Sequence, residues 1–275
     1  MKRFYPFIKK YQWPIFSGVI IGTSYIPLIP WGILFGYLPL WFWLMYKAKS
    51  SKEAFIAGWV CQFVLTIIGF HWIAYTAKEY GHFPWPIAFL TLLAFSALAH
   101  LYISIISYLF FQFKKKFSPS LLSSLIFLSF AHSISEIFWP GIFPWNMGYT
   151  LLWAKLPFFQ FADLIGFTGL SFILLVFHIP IGFFWIHFKE GYKRTIYIAL
   201  CILLFIFLNI AGWFHAQEWQ DTDKKLNILT VQANIGNFEK AEAEKGKMFR
   251  EAIIQKHIAL SEEALTKSGN IDLIL

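Results

Sequence analysis

Charge is scarce in this chain. Asp, Glu, Lys and Arg make up 14% of the 275 residues, against roughly 25% in a soluble globular domain. Acidic residues are scarcer still toward the N-terminus: only Glu53, Glu79, Glu136, Asp163 and Glu190 precede residue 216, out of 15 in the whole sequence. So few charges cannot cover a water-facing exterior, which excludes a soluble globular protein over that stretch. Cysteine is nearly absent. Cys61 and Cys201 each sit inside an apolar run, which excludes a disulfide framework and a cysteine metal site and leaves neither as an exposed nucleophile. No Gly-x-Ser-x-Gly, His-Glu-x-x-His or Walker pattern occurs.

What the chain has in excess is apolar surface. Hydrophobic residues reach 58% and aromatic ones 21%, with 33 Phe and 13 Trp, and the mean hydropathy is +0.58. Apolar runs lie at about 14–29, 31–46, 54–75, 83–112, 120–138, 160–186 and 195–214. Each has room for a membrane helix of roughly 17–25 residues, the first two being short. Pro27, Pro30 and Gly32 favour a turn between those two. The expected fold is an all-α polytopic membrane domain of about seven transmembrane helices over residues 1–215.

Charge also orients the spans. With the N-terminus in the cytoplasm and seven crossings, the inside segments before residue 215 hold thirteen Lys or Arg, and the outside loops hold only Lys78 and Lys155. That is the asymmetry of the positive-inside rule, and counting 14–46 as one span would destroy it. The net charge of +8 therefore reads as topology. The basic residues form short clusters between apolar runs, which excludes a nucleic-acid-binding stripe. The N-terminal Lys2, Arg3, Lys9 and Lys10 resemble the start of a signal peptide, but no small-residue cleavage site follows, so an uncleaved anchor is expected.

From residue 216 the composition changes, and the other ten acidic residues fall there. Asn227–Ile235 reads as a strand, residues 241–267 as an amphipathic helix with Phe249, Ile253, Ile254, Ile258, Leu260 and Leu265 to one side, and Ile271–Leu275 as a second strand. Strand, helix, strand is the opening unit of an α/β layered domain, and sixty residues cannot cover both faces of its sheet. Residues 216–275 are thus expected to begin a domain, outside the cytoplasm, that is incomplete here.

The loop between the fifth and sixth runs carries the densest signal. Trp139, Trp145 and Trp153 stand among Pro140, Pro144 and Pro157. An interfacial aromatic belt accounts for this. So does a shaped site for an amphiphilic ligand, with Trp145, Pro144 and Glu136 as candidate contacts. Glu136 and Asp163 lie near span ends, where hydration or helix capping competes with a functional role. His132 and Glu136 share a helix face four residues apart, but no third ligand stands at metal-binding spacing. Gly166 and Gly169 suit close helix packing.

Two stretches resemble the apolipoprotein N-acyltransferase family. The first is Glu136 to Phe172, with Phe143-Pro-Trp-Asn-Met-Gly-Tyr-Thr150 and then Pro157-x-x-Gln-x-Ala-Asp-x-x-Gly-x-x-Gly-x-Ser-Phe172. The second is Val231-Gln-Ala-Asn-Ile235, the usual first strand of that family's nitrilase-like (carbon-nitrogen hydrolase) domain. Gly69-Phe-His-Trp72 is a weaker match. The resemblance implies a multi-pass protein of the bacterial inner membrane with a periplasmic catalytic domain. It also implies transfer of an acyl chain from a phospholipid, through an enzyme thioester, to the amino group of a diacylglyceryl-cysteine apolipoprotein, without a metal or dissociable cofactor. Trp145 would be the family's lipid-placing tryptophan. The family's Glu, Lys and Cys would lie beyond Leu275, so no catalytic residue is assigned, and the chain is expected to be an inactive N-terminal fragment. The family often carries a tryptophan soon after its first strand, where this chain has Gly236-Asn-Phe-Glu-Lys240. The alternative is a non-catalytic membrane scaffold or a transporter, although neither midplane ionisable residues nor inverted repeats mark a transporter here.

Overall fold

The computed structural model describes residues 4–141, 143, 145–217, 226–236, 240, 243–244, 246–267 and 269–275. Pro144, one of the expected contacts, lies outside them. The described residues fall into two compact units, one built on residues 4–78 and 83–217 and the other on residues 79–82 and the described residues from 226 onward.

The first unit is helical. Its chain runs through α1 (Phe4–Lys10), α2 (Gln12–Tyr25), a 3₁₀ turn at Pro30–Leu34, α3 (Leu38–Tyr46), α4 (Ser51–Gly69) and α5 (Trp72–Gly81), of which residues 72–78 belong to this unit. It continues through α6 (Trp85–Leu98), α7 (Tyr102–Phe117), α8 (Leu121–Phe138), α9 (Thr150–Ala154), α10 (Ala162–Ile186) and α11 (Gly191–Gln217). Among the described residues five helical stretches are long and apolar enough to cross a membrane: Ser51–Gly69, Trp85–Phe117, Leu121–Phe138, Pro157–Ile186 and Thr195–Gln217. They match the third to seventh apolar runs. The first two runs become α2 and α3, of 14 and 9 residues, which are shorter than a full span.

The chain does double back between α2 and α3. Ile26 is extended, as a residue before proline prefers, and that ends α2 before Pro27. Gly36 then returns beside Ser17, whose hydroxyl donates to the Gly36 carbonyl. At the far end of α3, Trp43 Nε1 donates to the Lys10 carbonyl at 3.0 Å. Small residues let the helices approach closely: a methyl group on Gly18 would come within 2.5 Å of the Cys61 carbonyl, and one on Gly58 within 2.7 Å of the Ile103 carbonyl.

Ser50 caps α4 by accepting from the Glu53 N–H at 3.2 Å, while Glu53 Oε2 accepts from the Lys49 N–H at 3.0 Å. This is a close variant of the reciprocal capping box. Between α6 and α7 the helix breaks. The carbonyls near the break are met by side chains from neighbours: Trp59 Nε1 and Gln62 Nε2 donate to Ala97 at 3.1 and 2.9 Å, and Trp139 Nε1 to Ala99 at 2.9 Å. In a bilayer no water is available to do this, so indole and amide donors take its place.

The bundle is filled from within and greasy without. Trp41, Tyr37, Phe110 and Phe158 are fully buried, whereas Leu203, Phe207, Leu90 and Phe138 point outward. Apolar side chains on the outer faces of long helices are what a lipid-facing surface requires. At the centre, His178 Nε2 accepts from the Tyr37 N–H at 3.3 Å and Nδ1 donates to the Leu174 carbonyl at 2.9 Å. His132 donates from Nδ1 to Leu128 at 2.8 Å, and its ring lies 4.4 Å from that of Tyr37.

Three basic clusters meet at one end of this unit. Lys10 Nζ pairs with Glu53 at the start of α4 at 2.6 Å, and Lys114 Nζ, near the end of α7, donates to the Met45 carbonyl beside Lys47. Trp185 of α10 meets Phe42 of α3 at the same end, the two rings tilted at 6.1 Å.

In the second unit β1 (Ile228–Leu229) pairs in parallel with β2 (Leu273–Ile274), and α12 (Lys247–Lys267) connects them. Backbone hydrogen bonds extend the pairing from Asn227 to Val231. The regular strand is shorter than Asn227–Ile235, and further on Asn234 turns into the left-handed region at φ 48°, which asparagine tolerates better than most residues. Phe249, Ile254, Ile258 and Leu265 of α12 are exposed within this unit.

Candidate functional site: an aromatic cavity at the end of the helices

A cavity of about 730 Å³ opens where α2 and α4 end and α8 gives way to the Trp-rich loop. Its wall is mainly apolar and aromatic: Tyr25, Phe70, Phe95, Tyr102, Trp139 and Phe143 contribute, and Glu136, Trp145 and Asn146 add polar atoms. Two of the three expected contacts, Trp145 and Glu136, are thus brought together.

The loop is held by a chain of stacked rings. Trp145 stacks on Tyr149 at 4.9 Å, Tyr149 on Phe167 at 3.8 Å, and Tyr25 meets Trp145 edge-on at 6.0 Å. Phe143 packs edge-on against Trp72 at 5.0 Å. The Gly69-Phe-His-Trp72 break between α4 and α5 therefore supplies Phe70 to the cavity and Trp72 to its loop. Ring stacking of this kind orients the aromatic edges as well as burying them.

Glu136, in the last turn of α8, anchors the loop from below. Its Oε1 accepts from the Met147 N–H at 3.1 Å. The next amide, Gly148 N–H, donates to Ser171 Oγ at 2.8 Å, and that hydroxyl also lies beside the Glu136 carboxylate. Gly148 must be glycine: a methyl group there would stand 2.2 Å from the Phe167 carbonyl. Gly166 is needed for a different reason. Its φ of 66° and ψ of 175° break α10, a conformation essentially restricted to glycine. Gly169 packs under its own Ile165, so the Gly166–Gly169 pair kinks a helix and seats the loop rather than joining two helices.

Three polar atoms of this site are buried without a hydrogen-bond partner among the described residues: Glu136 Oε2, Trp145 Nε1 and Asn146 Oδ1. Buried polar groups are nearly always satisfied. Two acceptors and one donor, set in an otherwise apolar cavity, suit a ligand with a polar head and a hydrocarbon tail.

Other singled-out residues go elsewhere. Asp163 pairs with His215 at 2.8 Å, joining the start of α10 to the end of α11. Nothing in the sequence marked His215 for this, as the two are 52 residues apart. His132 and Glu136 turn to separate partners, Leu128 and Met147. Cys61 is buried and Cys201 partly so, both as free thiols. Among the described residues no group of three His, Cys, Asp or Glu is arranged to hold a metal.

The fold and cavity define a multi-pass helical membrane protein with an aromatic site at one end of its bundle. Residues 17–180 match the family model described as the apolipoprotein N-acyltransferase N-terminal domain. An apolipoprotein N-acyltransferase of Bdellovibrio bacteriovorus is 41% identical over 281 residues, covering 100% of this chain and 51% of the relative. An apolipoprotein N-acyltransferase 2 of Leptospira interrogans is 30% identical over 234 residues, covering 81% and 38%. The enzyme of Geobacter metallireducens is 25% identical over 277 residues, covering 97% and 50%. The chain belongs to the apolipoprotein N-acyltransferase family. It is a multi-pass membrane protein of bacterial type, and it spans about half the length of the curated relatives it matches.

Proposed function

We propose that this chain is the lipid-handling half of an apolipoprotein N-acyltransferase. In the proposed reaction an enzyme thiol takes the acyl chain from a phospholipid, releasing a lysophospholipid. The free amine of a diacylglyceryl-cysteine apolipoprotein then attacks the thioester and regenerates the thiol. The thiol, its base and the cation for the oxyanion would belong to the half of the relatives that this chain does not cover. The part assigned here is positioning. Trp145 presents its ring to acyl or diacylglyceryl chains while Trp145 Nε1, Glu136 Oε2 and Asn146 Oδ1 meet the polar head. The observation that carries this reading is the set of three unpartnered polar atoms within an aromatic cavity.

The proposal includes seven crossings, with α2 and α3 as the first two. Each is short, but together they form an antiparallel pair, and Tyr25 near their turn lines the cavity. The N-terminus would lie in the cytoplasm of a bacterial inner membrane, with the cavity and residues 216–275 on the periplasmic side. This agrees with the gathering of basic clusters at the other end of the bundle. The parallel β1–α12–β2 unit would then open a nitrilase-like domain.

The test is a graft in which this chain replaces the matching N-terminal half of the Bdellovibrio relative. The graft should N-acylate a diacylglyceryl lipopeptide, detected by the mass of the product. Trp145→Ala in the graft should lower acyl transfer more than protein abundance. An active graft indifferent to Trp145→Ala would leave only the belt reading of the loop.

A further inference from the structure

A second recess, of about 370 Å³, lies at the opposite end of the helices that carry the cavity. Tyr25 closes α2 on the cavity side. Gln12 and Trp13, which open α2 roughly 20 Å away along its axis, line the recess. Four lysines surround it: Lys9 and Lys10 ahead of α2, and Lys47 and Lys49 between α3 and α4. The one acid in its wall is Glu53, and it is already committed. It accepts from the Lys49 N–H at 3.0 Å and pairs with Lys10 Nζ at 2.6 Å. Among the described residues no ion pair engages Lys9, Lys47 or Lys49. With four lysines against one carboxylate, the recess carries a net charge of three positive.

Its floor is aromatic. Trp43 is buried and fixed by its bond to the Lys10 carbonyl, while Trp13 remains open to the surroundings. Trp13, Trp43 and Lys47 also border an adjoining cleft of about 130 Å³, which continues over Phe42, Tyr46 and Trp185. A cationic recess that opens directly onto an aromatic cleft at the end of membrane helices matches one kind of occupant. That occupant has a phosphodiester head without a compensating ammonium and a hydrocarbon chain. A zwitterionic head would bring its own cation against three others.

We infer that this recess binds an anionic phospholipid of the phosphatidylglycerol class, its phosphate among Lys9, Lys47 and Lys49 and the first part of one acyl chain along the Trp13–Trp185 cleft. The inference does not rest on the proposed acyl transfer, because no residue of the Trp145 cavity takes part.

The test uses the full chain purified in a neutral detergent and given equimolar phosphatidylglycerol and phosphatidylcholine, with bound lipid counted by native mass spectrometry. The chain should retain phosphatidylglycerol. Replacing Lys9, Lys47 and Lys49 together by glutamine should reduce retention roughly a hundredfold, and Lys47→Gln alone about fivefold. Replacing Lys52, Lys115 and Lys116 by glutamine removes the same charge outside the recess and should leave retention unchanged. Trp13→Ala, which removes no charge, should also weaken it. Three results would overturn the inference. The two triple variants would lose lipid equally, the two lipids would be retained equally, or soluble glycerophosphoglycerol would displace the lipid mole for mole. Matched melting temperatures for Lys47→Gln and Trp13→Ala keep the comparison free of misfolding.

Discussion

Glu136 carries two separable duties, and two substitutions divide them. Its Oε1 holds the Met147 amide at 3.1 Å, and Met147 is fully buried. Its Oε2 is buried without a partner and is the atom proposed to face the lipid head. Glu136→Gln retains a carbonyl oxygen for Met147 but turns the second oxygen into a donor. Glu136→Ala removes both and leaves a buried N–H unpaired, at a cost of about 1–3 kcal/mol. The expected outcome is that Glu136→Gln melts within about 0.5 kcal/mol of the parent, while Glu136→Ala melts measurably lower. In the graft with the Bdellovibrio relative, Glu136→Gln should still lower acyl transfer, by about tenfold if one hydrogen bond worth roughly 1.4 kcal/mol is lost to the ligand. Thermal melting in detergent and the rate of lipopeptide acylation at equal abundance supply the two readings. Full activity of Glu136→Gln would show that Oε2 serves no ligand. Unchanged stability of Glu136→Ala would show that the Met147 bond does not hold the loop.

The loop's seating and the proposed topology are tested in other ways. Gly148→Ala places a methyl group 2.2 Å from the Phe167 carbonyl and should cost about 1–3 kcal/mol as the Trp145–Tyr149–Phe167 stack is pushed apart, read as a lower melting temperature. Gly166→Ala forces a side chain into φ 66° and should cost about 1–3 kcal/mol, but with space around the new methyl it should spare packing and be additive with distant changes. With Cys61 and Cys201 replaced by alanine, a cysteine at the exposed Gly141 should be labelled by a membrane-impermeant thiol reagent in intact cells, and one at Lys115 should not. Labelling of both would sink the seven-crossing topology.

Much of this was legible from the order of residues, because hydropathy and charge are local sums. The runs from residue 54 to 214 became long apolar helices, since twenty consecutive side chains decide by themselves whether a segment prefers lipid. Pro27 alone was enough to end α2, and Gly69-Phe-His-Trp72, FPWNMG and VQANI carried the family resemblance. Tertiary structure decided the rest. Only folding sets Tyr25, Phe70, Tyr102 and Asn146 around one cavity, places Met147 over Glu136, and pairs Asp163 with His215 across 52 residues. Only folding, too, brings Lys9 beside Lys47 and Lys49 above Trp13. Which polar atoms stay unpartnered depends on every neighbour that might have satisfied them. A pairing of that kind is a property of the packed bundle and of no single stretch of sequence.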